Sequence, residues 1–280
     1  MAAALKLLYT ADLHGNEGFY RRLLGIAVKR KVNTIIIGGD LLPKTGDFTS
    51  LIEEQRQFLT GTLRPLLHAF RDSNPAVDVF LMMGNDDFSI NMDLLEEMGS
   101  EGLCKLLHMR THRLTEGLSI AGYSCVRPTP FSCKDWERYD DEQKILQPGP
   151  YKPVVSTLDG LIDIDEQEWF SSHPAMEEDL EQLARMSDPK RTLYVLHDPP
   201  WNTTLDVLYN GQHIGSMAVR RFIEQRQPPL VLSGHIHESP KASGKITDRI
   251  GGTVCVNPGQ TEAILQAVTV DIPGFKVKLL

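Results

Sequence analysis

The sequence LKLLYTADLHGN, residues 5–16, joins an apolar run to a polar turn that carries Asp12 and His14. The short apolar run predicts a buried β-strand, and the Gly-containing turn predicts a loop at the carboxyl end of that strand. A helical spacing of apolar residues follows, and TIIIGGD, residues 34–40, predicts a second strand that ends at Asp40. This strand–helix–strand order indicates two parallel strands with functional loops at their carboxyl ends.

The same pattern recurs along the rest of the chain. Further strands are predicted at residues 77–83, 118–123, 192–196, 230–233, 254–256, 264–272 and 275–279. Helices are predicted at residues 20–28, at residues 51–67 with a kink at Pro65, and at residues 94–98, 176–184 and 217–223. Strands that alternate with helices in this way predict an α/β fold.

Residues 127–160 differ in character from the rest of the sequence. They are rich in Pro, Asp and Lys, with aromatic residues scattered among them. A loop of this length inside a compact domain is usually functional or disordered, and the aromatic residues favour an ordered excursion over a site. No linker or internal repeat interrupts the chain, so residues 1–280 are predicted to form a single domain.

Composition restricts the classes of partner. The 280 residues carry a formal net charge of −8, with a pI near 5.6, which argues against a nucleic-acid polymer or an anionic membrane surface as partner. Four cysteines without CxxC spacing indicate a reducing compartment, and no apolar run approaches the length of a membrane span. We therefore expect a cytoplasmic protein, whose oligomeric state the sequence leaves open.

Five predicted strands end in residue types that bind metals. These residues are Asp12, His14, Asp40, Asn85, His197, His235 and His237. One such ending is unremarkable, because Asp is a common turn and cap residue, but five would place these side chains on one rim of a sheet. Imidazoles, carboxylates and one amide suit Mn, Fe, Zn, Co or Ni. Seven ligands are too many for one tetrahedral ion and suit two ions roughly 3.5–4 Å apart.

The ordered motifs DLH, GGD, GND, a His after a strand, and GHIH resemble the calcineurin-like metallophosphoesterase family over residues 12–237. An Asn-Pro-Gly segment at residues 257–259 is also similar to that fold. The stretches PTPFSCKDWERYD, HDPPWNTTLD and GHIHESP resemble a branch of small, stand-alone prokaryotic-type phosphoesterases. The resemblance implies a four-layer sandwich of two mixed β-sheets flanked by helices.

The resemblance also implies a role for each ligand. One divalent ion would be held by Asp12, His14 and His237, the other by Asn85, His197 and His235, with Asp40 bridging the two. The implied activity is hydrolysis of a small phosphate mono- or diester by attack of a hydroxide that bridges two divalent ions.

Asp86 departs from the family pattern. The common pattern has His after Gly-Asn, whereas this chain reads Gly84-Asn85-Asp86-Asp87. The missing His is credited with stabilising the transition state or protonating the leaving group, and two nearby cations should keep Asp86 ionised, which makes it a poor proton donor. We assign Asp86 as the candidate catalytic residue, with a hydrogen bond to a substrate hydroxyl or water as one role and support of the ligands as another. We therefore expect either weaker hydrolysis or substrates with good leaving groups, with diesters favoured over unactivated monoesters.

Candidate substrate contacts lie in and beyond the excursion. Arg127 and Lys134 offer cations for a phosphate, Trp136 offers an indole for stacking, and His213 offers a loop imidazole. An ordered loop packed by its own aromatic residues explains the excursion equally well.

Two other functions compete with hydrolysis. A non-catalytic metal-binding scaffold or regulatory protein of the same fold is the first, although every expected ligand position is filled. A nuclease of this fold is the second, but it would need a basic groove and an accessory DNA-binding region, and neither is visible in the sequence.

Overall fold

The structure is a computed structural model and describes residues 5–44 and 50–280 of the chain. Within these residues the strands form two six-stranded sheets and a separate two-stranded hairpin. The strands are β1 (Leu5–Thr10), β2 (Thr34–Gly38), β3 (Asp78–Met82), β4 (Lys105–Leu106), β5 (Arg110–Thr115), β6 (Leu118–Tyr123), β7 (Val154–Thr157), β8 (Gly160–Asp163), β9 (Thr192–Leu196), β10 (Leu230–Leu232), β11 (Thr247–Ile250), β12 (Thr253–Val256), β13 (Val268–Ile272) and β14 (Lys276–Leu279).

The helices connect and flank these strands. They are α1 (Glu17–Arg30), α2 (Leu51–Phe58), α3 (Arg64–Ser73), α4 (Met92–Ser100), α5 (Glu166–Ser171), α6 (Met176–Arg185), α7 (Met217–Arg226) and α8 (Ser239–Ser243). The side chain of Asn16 caps α1 by accepting a hydrogen bond from the Phe19 amide. The predicted interruption near Pro65 is a π-helical turn, Leu59–Leu63, which separates α2 from α3.

Each six-stranded sheet contains four adjacent parallel strands. The first sheet has the order β14-β13-β1-β2-β3-β4, in which β1 to β4 are parallel and β13 pairs antiparallel with β1. The second has the order β11-β12-β10-β9-β6-β5, in which β12, β10, β9 and β6 are parallel. The carboxyl ends of the parallel strands in each sheet therefore lie on one edge.

The apolar residues of β1 show how the layers are packed. Leu7 and Tyr9 belong to a cluster that contains Leu193 and Val195 of β9, so this face lies between the two sheets. Leu8, which points to the opposite face because side chains alternate along a strand, belongs to a cluster with Leu23 of α1. Two sheets packed face to face, with helices outside them, form the four-layer sandwich that the resemblance implied, and that expectation is confirmed.

The elements that sequence patterns missed are short or exposed. β4 has two residues, and β5 is a half-exposed edge strand with the polar sequence RTHRLT, so neither gives an apolar signal. β11 and the six-residue α5 were missed for the same reason. The strand expected over residues 264–272 begins only at Val268. Residues 127–160 are mostly irregular, as expected, and end in the hairpin of β7 and β8. Over residues 5–44 and 50–280, none of the helices has the length and apolar character needed to cross a lipid bilayer.

Candidate metal centre

The carboxyl ends of five parallel strands carry all seven predicted ligands. In the first sheet, β1 is followed by Asp12 and His14, β2 by Asp40, and β3 by Asn85; in the second, β9 is followed by His197 and β10 by His235 and His237. Hydrogen bonds tie the loops of the two sheets together, because the His235 amide donates to Asp12 Oδ1 over 3.0 Å. The seven residues therefore lie at one place, where the edges of both sheets meet.

Four of the seven predicted ligand residues have left-handed backbone conformations. Their φ angles are 59° for Asp12, 44° for His14, 52° for Asp40 and 63° for His235. A non-glycine residue in this region costs on the order of 1–3 kcal/mol, so the surrounding structure must hold it in place. Such strain collects at functional sites, and here it turns four side chains inward.

Asp12, His14, Asp40 and His237 form one cluster. Each of the four offers a ligand atom, and these atoms all lie within 4.8 Å of one another. His14 Nε2 lies 3.2 Å from His237 Nε2, and His237 Nε2 lies 3.5 Å from Asp12 Oδ1. The carboxylate oxygen that Asp40 presents to His14 is Oδ2, at 3.8 Å from His14 Nε2.

Asp40 also reaches the remaining ligands through its other oxygen. Asp40 Oδ1 lies 3.5 Å from His197 Nε2, and Asn85 Oδ1 lies 3.2 Å from the same nitrogen. The centroids of the His197 and His235 rings are 5.5 Å apart. His197 Nδ1 lies 2.8 Å from the Gly38 carbonyl oxygen, a contact that orients Nε2 toward the site. The carboxylate of Asp40 thus stands between two groups of ligands.

Glycine is required at two positions beside Asp40. A Cβ atom at Gly84 would lie 2.3 Å from Asp40 Oδ1 and 2.5 Å from His197 Nε2. A Cβ atom at Gly39 would lie 2.3 Å from His197 Nδ1, and Gly39 also has a φ of 112°, which side chains rarely adopt. The GGD and GND motifs therefore contain glycine because the ligands occupy the space of a side chain.

The electrostatics of the site favour cations. Burial works against the ionised form of Asp40, but His197 and then His14 hold its pKa well below the usual value. Burial likewise opposes charge on His197, yet Asp40 and then Asp12 raise the pKa of His197 to about 10. Burial lowers the pKa of His14 to about 4 and that of His235 to about 3. Ionised carboxylates and neutral imidazoles are the forms that bind metal ions. Asp40, His14 and His235 already have these forms at neutral pH. His197 is protonated without metal, so an ion would have to displace its proton.

Two buried atoms support the assignment as a metal site. Asp12 Oδ2 and His14 Nδ1 have no hydrogen-bond partner within the part of the chain that the structure describes. A buried polar atom without a partner costs free energy unless water or an ion satisfies it. The donor set of imidazole nitrogens, carboxylate oxygens and one amide oxygen fits borderline divalent ions, so the residues present suit the group that the motifs imply.

Asp86 and Asp87 have different surroundings. Asp87 is fully buried, and its carboxylate accepts hydrogen bonds from the backbone amides of Leu41, Leu42 and Gly84, so it fixes the two ligand loops to each other. Asp86 faces a cleft, where burial and then Asp40 raise its pKa to about 6. Its Oδ2 atom lies 3.2 Å from Lys44 Nζ. Sequence patterns missed Lys44, because a lysine in a loop after GGD gives no motif.

The four candidate substrate contacts are not among the residues that line the cleft beside the predicted ligands. They are Arg127, Lys134, Trp136 and His213. Arg127 and His213 line a separate cavity, where the Arg127 Nε donates to the Ile214 carbonyl and His213 Nδ1 lies 2.8 Å from Asp206 Oδ1. Lys134 is buried in ion pairs with Glu137 at 3.0 Å and Glu166 at 3.1 Å.

The ring of Trp136 packs against His108, with a centroid distance of 4.9 Å. For Lys134 and Trp136 the geometry favours the packed-loop alternative, because the charge of Lys134 is paired and the ring of Trp136 is buried against His108.

Other residues of the excursion do reach the ligands. A cleft of about 680 Å³ beside the site is lined by Asp40, Asn85, Asp86, His235 and His237, with Phe131, Ser132, Cys133 and Tyr151 from the excursion. Phe131 and Tyr151 are 53% and 65% exposed, so their rings are open to a ligand in the cleft.

A two-sheet sandwich with an Asp, His and Asn cluster at its strand ends is the arrangement of a metallophosphoesterase. The chain matches the model of the calcineurin-like phosphoesterase family over residues 5–239, and it belongs to that family. No curated protein matched the sequence.

Solved structures of similar fold were found at low sequence identity. They include TT1561 of Thermus thermophilus, at 15% identity and a TM-score of 0.60 with 99% of each chain covered. They also include a dimetal phosphatase from Danio rerio, at 14% identity and a TM-score of 0.57 with 99% of this chain and 98% of that chain covered. Likeness at these identities shows the fold alone.

Proposed function

We propose that this protein is a dinuclear metal-dependent phosphoesterase that hydrolyses a small phosphate mono- or diester. The observation that supports this most directly is the position of the Asp40 carboxylate, whose Oδ2 faces His14 and whose Oδ1 faces His197. A carboxylate with one oxygen toward each of two ligand groups is suited to bridging two ions.

The ligand residues divide into two sets around Asp40. One ion would be held by Asp12, His14, His237 and Asp40, and the other by Asn85, His197, His235 and Asp40. Two divalent ions bound there would polarise a phosphoryl group and lower the pKa of a water molecule. The chain's own residues fix the geometry: the Gly38 carbonyl orients His197, the His235 amide orients Asp12, and Asp87 holds the two loops together.

The cleft beside the ligands suits a small ester. Phe131 and Tyr151, here called the aromatic wall, line the same cleft as the carboxylates and imidazoles. A leaving group with a flat or apolar part would pack on this wall, while the phosphoryl group lies toward Asp40. The net charge of −8 disfavours a nucleic-acid polymer as the substrate.

For Asp86 we propose a positioning role in the reaction. Its amide donates to Asp40 Oδ1 over 2.9 Å, and its Oδ1 accepts from Asn85 Nδ2 over 3.0 Å. These contacts tie Asp86 to two ligands while its carboxylate stays at the cleft surface. Burial raises its pKa to about 6, whereas the Lys44 ammonium group lowers the pKa and two bound cations would lower it further, so in the loaded site Asp86 would act as a hydrogen-bond acceptor.

The test is hydrolysis of p-nitrophenyl phosphate and bis(p-nitrophenyl) phosphate by protein loaded with Mn, Zn, Fe, Co or Ni, with and without chelator. We expect turnover that requires metal and that is lost in Asp40→Ala, together with a fall in bound metal measured by elemental analysis. Asp271→Ala, an exposed carboxylate of β13, is the control and should change neither quantity. Two bound ions without turnover of either ester would overturn the proposal in favour of a metal-binding scaffold.

A further inference from the structure

Lys44 occupies the boundary between two clefts that flank the ligand residues. It lines the cleft that contains Asp86 and Phe131, and it also lines a second cleft of about 530 Å³ that contains Asp12 and His14. Among the described residues that line either cleft, Lys44 is the single lysine or arginine. Its side chain is 37% exposed, so its ammonium group is accessible from the cleft.

The carboxylates of the site reduce the net positive charge that two bound divalent ions would offer to a phosphate. Asp12, Asp40 and Asp86 together carry three negative charges when ionised, which offset three of the four positive charges of two divalent ions. Only one positive charge then faces the two negative charges of a phosphate monoester. Lys44 compensates the charge of Asp86 and raises this surplus from one positive charge to two, which equals the charge of the dianion.

Asp86 holds the ammonium group of Lys44 in place. Asp86 Oδ2 lies 3.2 Å from Lys44 Nζ, while its Oδ1 and its amide are bound to Asn85 and Asp40. An ammonium group has three N–H donors, and the contact with Asp86 uses one of them. The other two donors can serve an anion in the cleft.

Resting on the proposed function, we propose that Lys44 binds the phosphoryl oxygens of the substrate and that Asp86 is the residue that positions it. Lys44 is thus a catalytic residue in the sense that it touches the reacting group, and it forms no covalent bond. Its N–H donors form charge-assisted hydrogen bonds with non-bridging oxygens, which are stronger than neutral ones and strengthen as charge develops on those oxygens. A dianionic monoester should depend on Lys44 more than a monoanionic diester.

The variants Lys44→Met and Lys44→Arg separate charge from side-chain volume. We expect Lys44→Met to weaken the binding of inorganic phosphate to the metal-loaded protein about 10- to 100-fold by titration calorimetry, with metal content unchanged. It should lower kcat/KM for p-nitrophenyl phosphate more than for the bis ester, and Lys44→Arg should recover much of both losses. Lys105→Met is the matched control, because Lys105 is 43% exposed and pairs with Asp78 at 2.8 Å on the edge strand β4.

Phosphate binding and ester hydrolysis, measured separately, distinguish the role of Lys44 from the proposed function. If the wild type hydrolyses esters and Lys44→Met leaves phosphate binding and the ester ratio unchanged, the role of Lys44 is overturned while hydrolysis stands. If the wild type binds phosphate without turnover and Lys44→Met weakens that binding, the role of Lys44 is supported and hydrolysis fails. Wild-type protein that binds two ions but neither binds phosphate nor hydrolyses either ester would overturn both.

Discussion

The Nε2 atoms of His14 and His237 lie 3.2 Å apart, although 223 positions separate the two residues in the sequence. Each ring comes from a different sheet, and the two are tilted by 56° with centroids 5.0 Å apart. Two imidazole nitrogens this close repel each other if both carry a lone pair or both carry a proton. A shared proton or a shared cation removes the conflict, and the neighbouring Asp12 and Asp40 carboxylates favour a cation.

Removal of one ring should therefore empty one ion position and spare the other. We expect His14→Ala to bind one ion where the wild type binds two, because Asn85, His197 and His235 are untouched. Elemental analysis after dialysis against metal-limited buffer measures the stoichiometry. His68→Ala is the control, since His68 is exposed and contacts Glu101 instead of the site. Two tightly held ions in His14→Ala would contradict the ligand assignment.

A methyl group at Gly84 should disrupt the centre by its volume alone. We expect Gly84→Ala to push Asp40 and His197 apart and to weaken metal binding at least as much as the roughly 10- to 100-fold that outer-shell substitutions cost. Gly25→Ala is the matched control, because a Cβ atom at Gly25 in α1 has nothing within 4 Å. There the substitution should stabilise the helix by about 0.5–1 kcal/mol and leave metal binding unchanged. Equal metal affinity in both variants would refute the packing argument.

Asp86→His should alter the choice of ester. An imidazole can protonate a leaving group, whereas an ionised carboxylate cannot, and general acid catalysis contributes roughly 10²–10⁴-fold. We expect the variant to gain at least about 10-fold on aryl phosphates with poor leaving groups, relative to those with good ones. The measurement is kcat/KM across a series of phenyl phosphates, with Asp86→Asn as the control that removes the charge without adding a donor. An identical dependence on the leaving group in all three proteins would sink this idea.

The aromatic wall should determine affinity for the leaving group. We expect Phe131→Ala and Tyr151→Ala each to raise KM for aryl phosphates about 2- to 10-fold, as an aromatic contact of roughly 0.5–1.5 kcal/mol implies. KM for glycerol phosphate should not change, because that leaving group has no ring. Leu158→Ala is the control, since Leu158 is 91% exposed at the hairpin of β7 and β8 and does not line the cleft. A uniform rise in KM for both esters would point to loop disorder instead of ring contact.

Glu137, which lies in the excursion, should make the free energy of unfolding depend on pH. Burial raises the pKa of Glu137 from 4.5 to about 7, against the opposing effects of Lys134 and Thr129. The folded protein therefore binds more protons than the unfolded chain between these values. The stabilising contribution of the protonated carboxyl is complete below pH 4.5 and is lost as the pH rises through 7. It amounts to at most about 3 kcal/mol.

Urea unfolding in the presence of chelator, at pH values from about 5 to 8, measures this contribution. We expect the free energy of unfolding of Glu137→Gln, relative to that of the wild type, to increase as the pH rises, since glutamine does not ionise and Glu166 still pairs with Lys134. Glu142→Gln, an exposed residue of the same excursion, should follow the wild type. If the free energies of unfolding of Glu137→Gln and the wild type changed in parallel with pH, Glu137 would not be the source of the pH dependence.

Much of the metal centre is predictable from the sequence because its signals are local. Apolar runs such as Leu5–Thr10 and Thr34–Gly38 predict strands by composition alone, and the residue that follows each strand is visible beside it. Parallel strands place their carboxyl ends on one edge of a sheet, so the strand pattern is enough to expect Asp12, Asp40 and Asn85 on the edge of the first sheet. Short or exposed elements such as β5 cannot be predicted in this way. They have no buried face, so their sequences lack a regular pattern of apolar residues.

The sequence by itself determined the class of ligands, their order and the strand ends that carry them. Only the tertiary structure decided which side chains share a space, because that depends on how the two sheets stack and where each loop closes. Stacking brings His14 to His237, loop closure brings Lys44 to Asp86, and packing turns Lys134 inward to Glu137 and Glu166. The first two pairings join segments that are far apart in the sequence, and the third buries a lysine that was expected to be exposed. A local sequence pattern predicts neither effect.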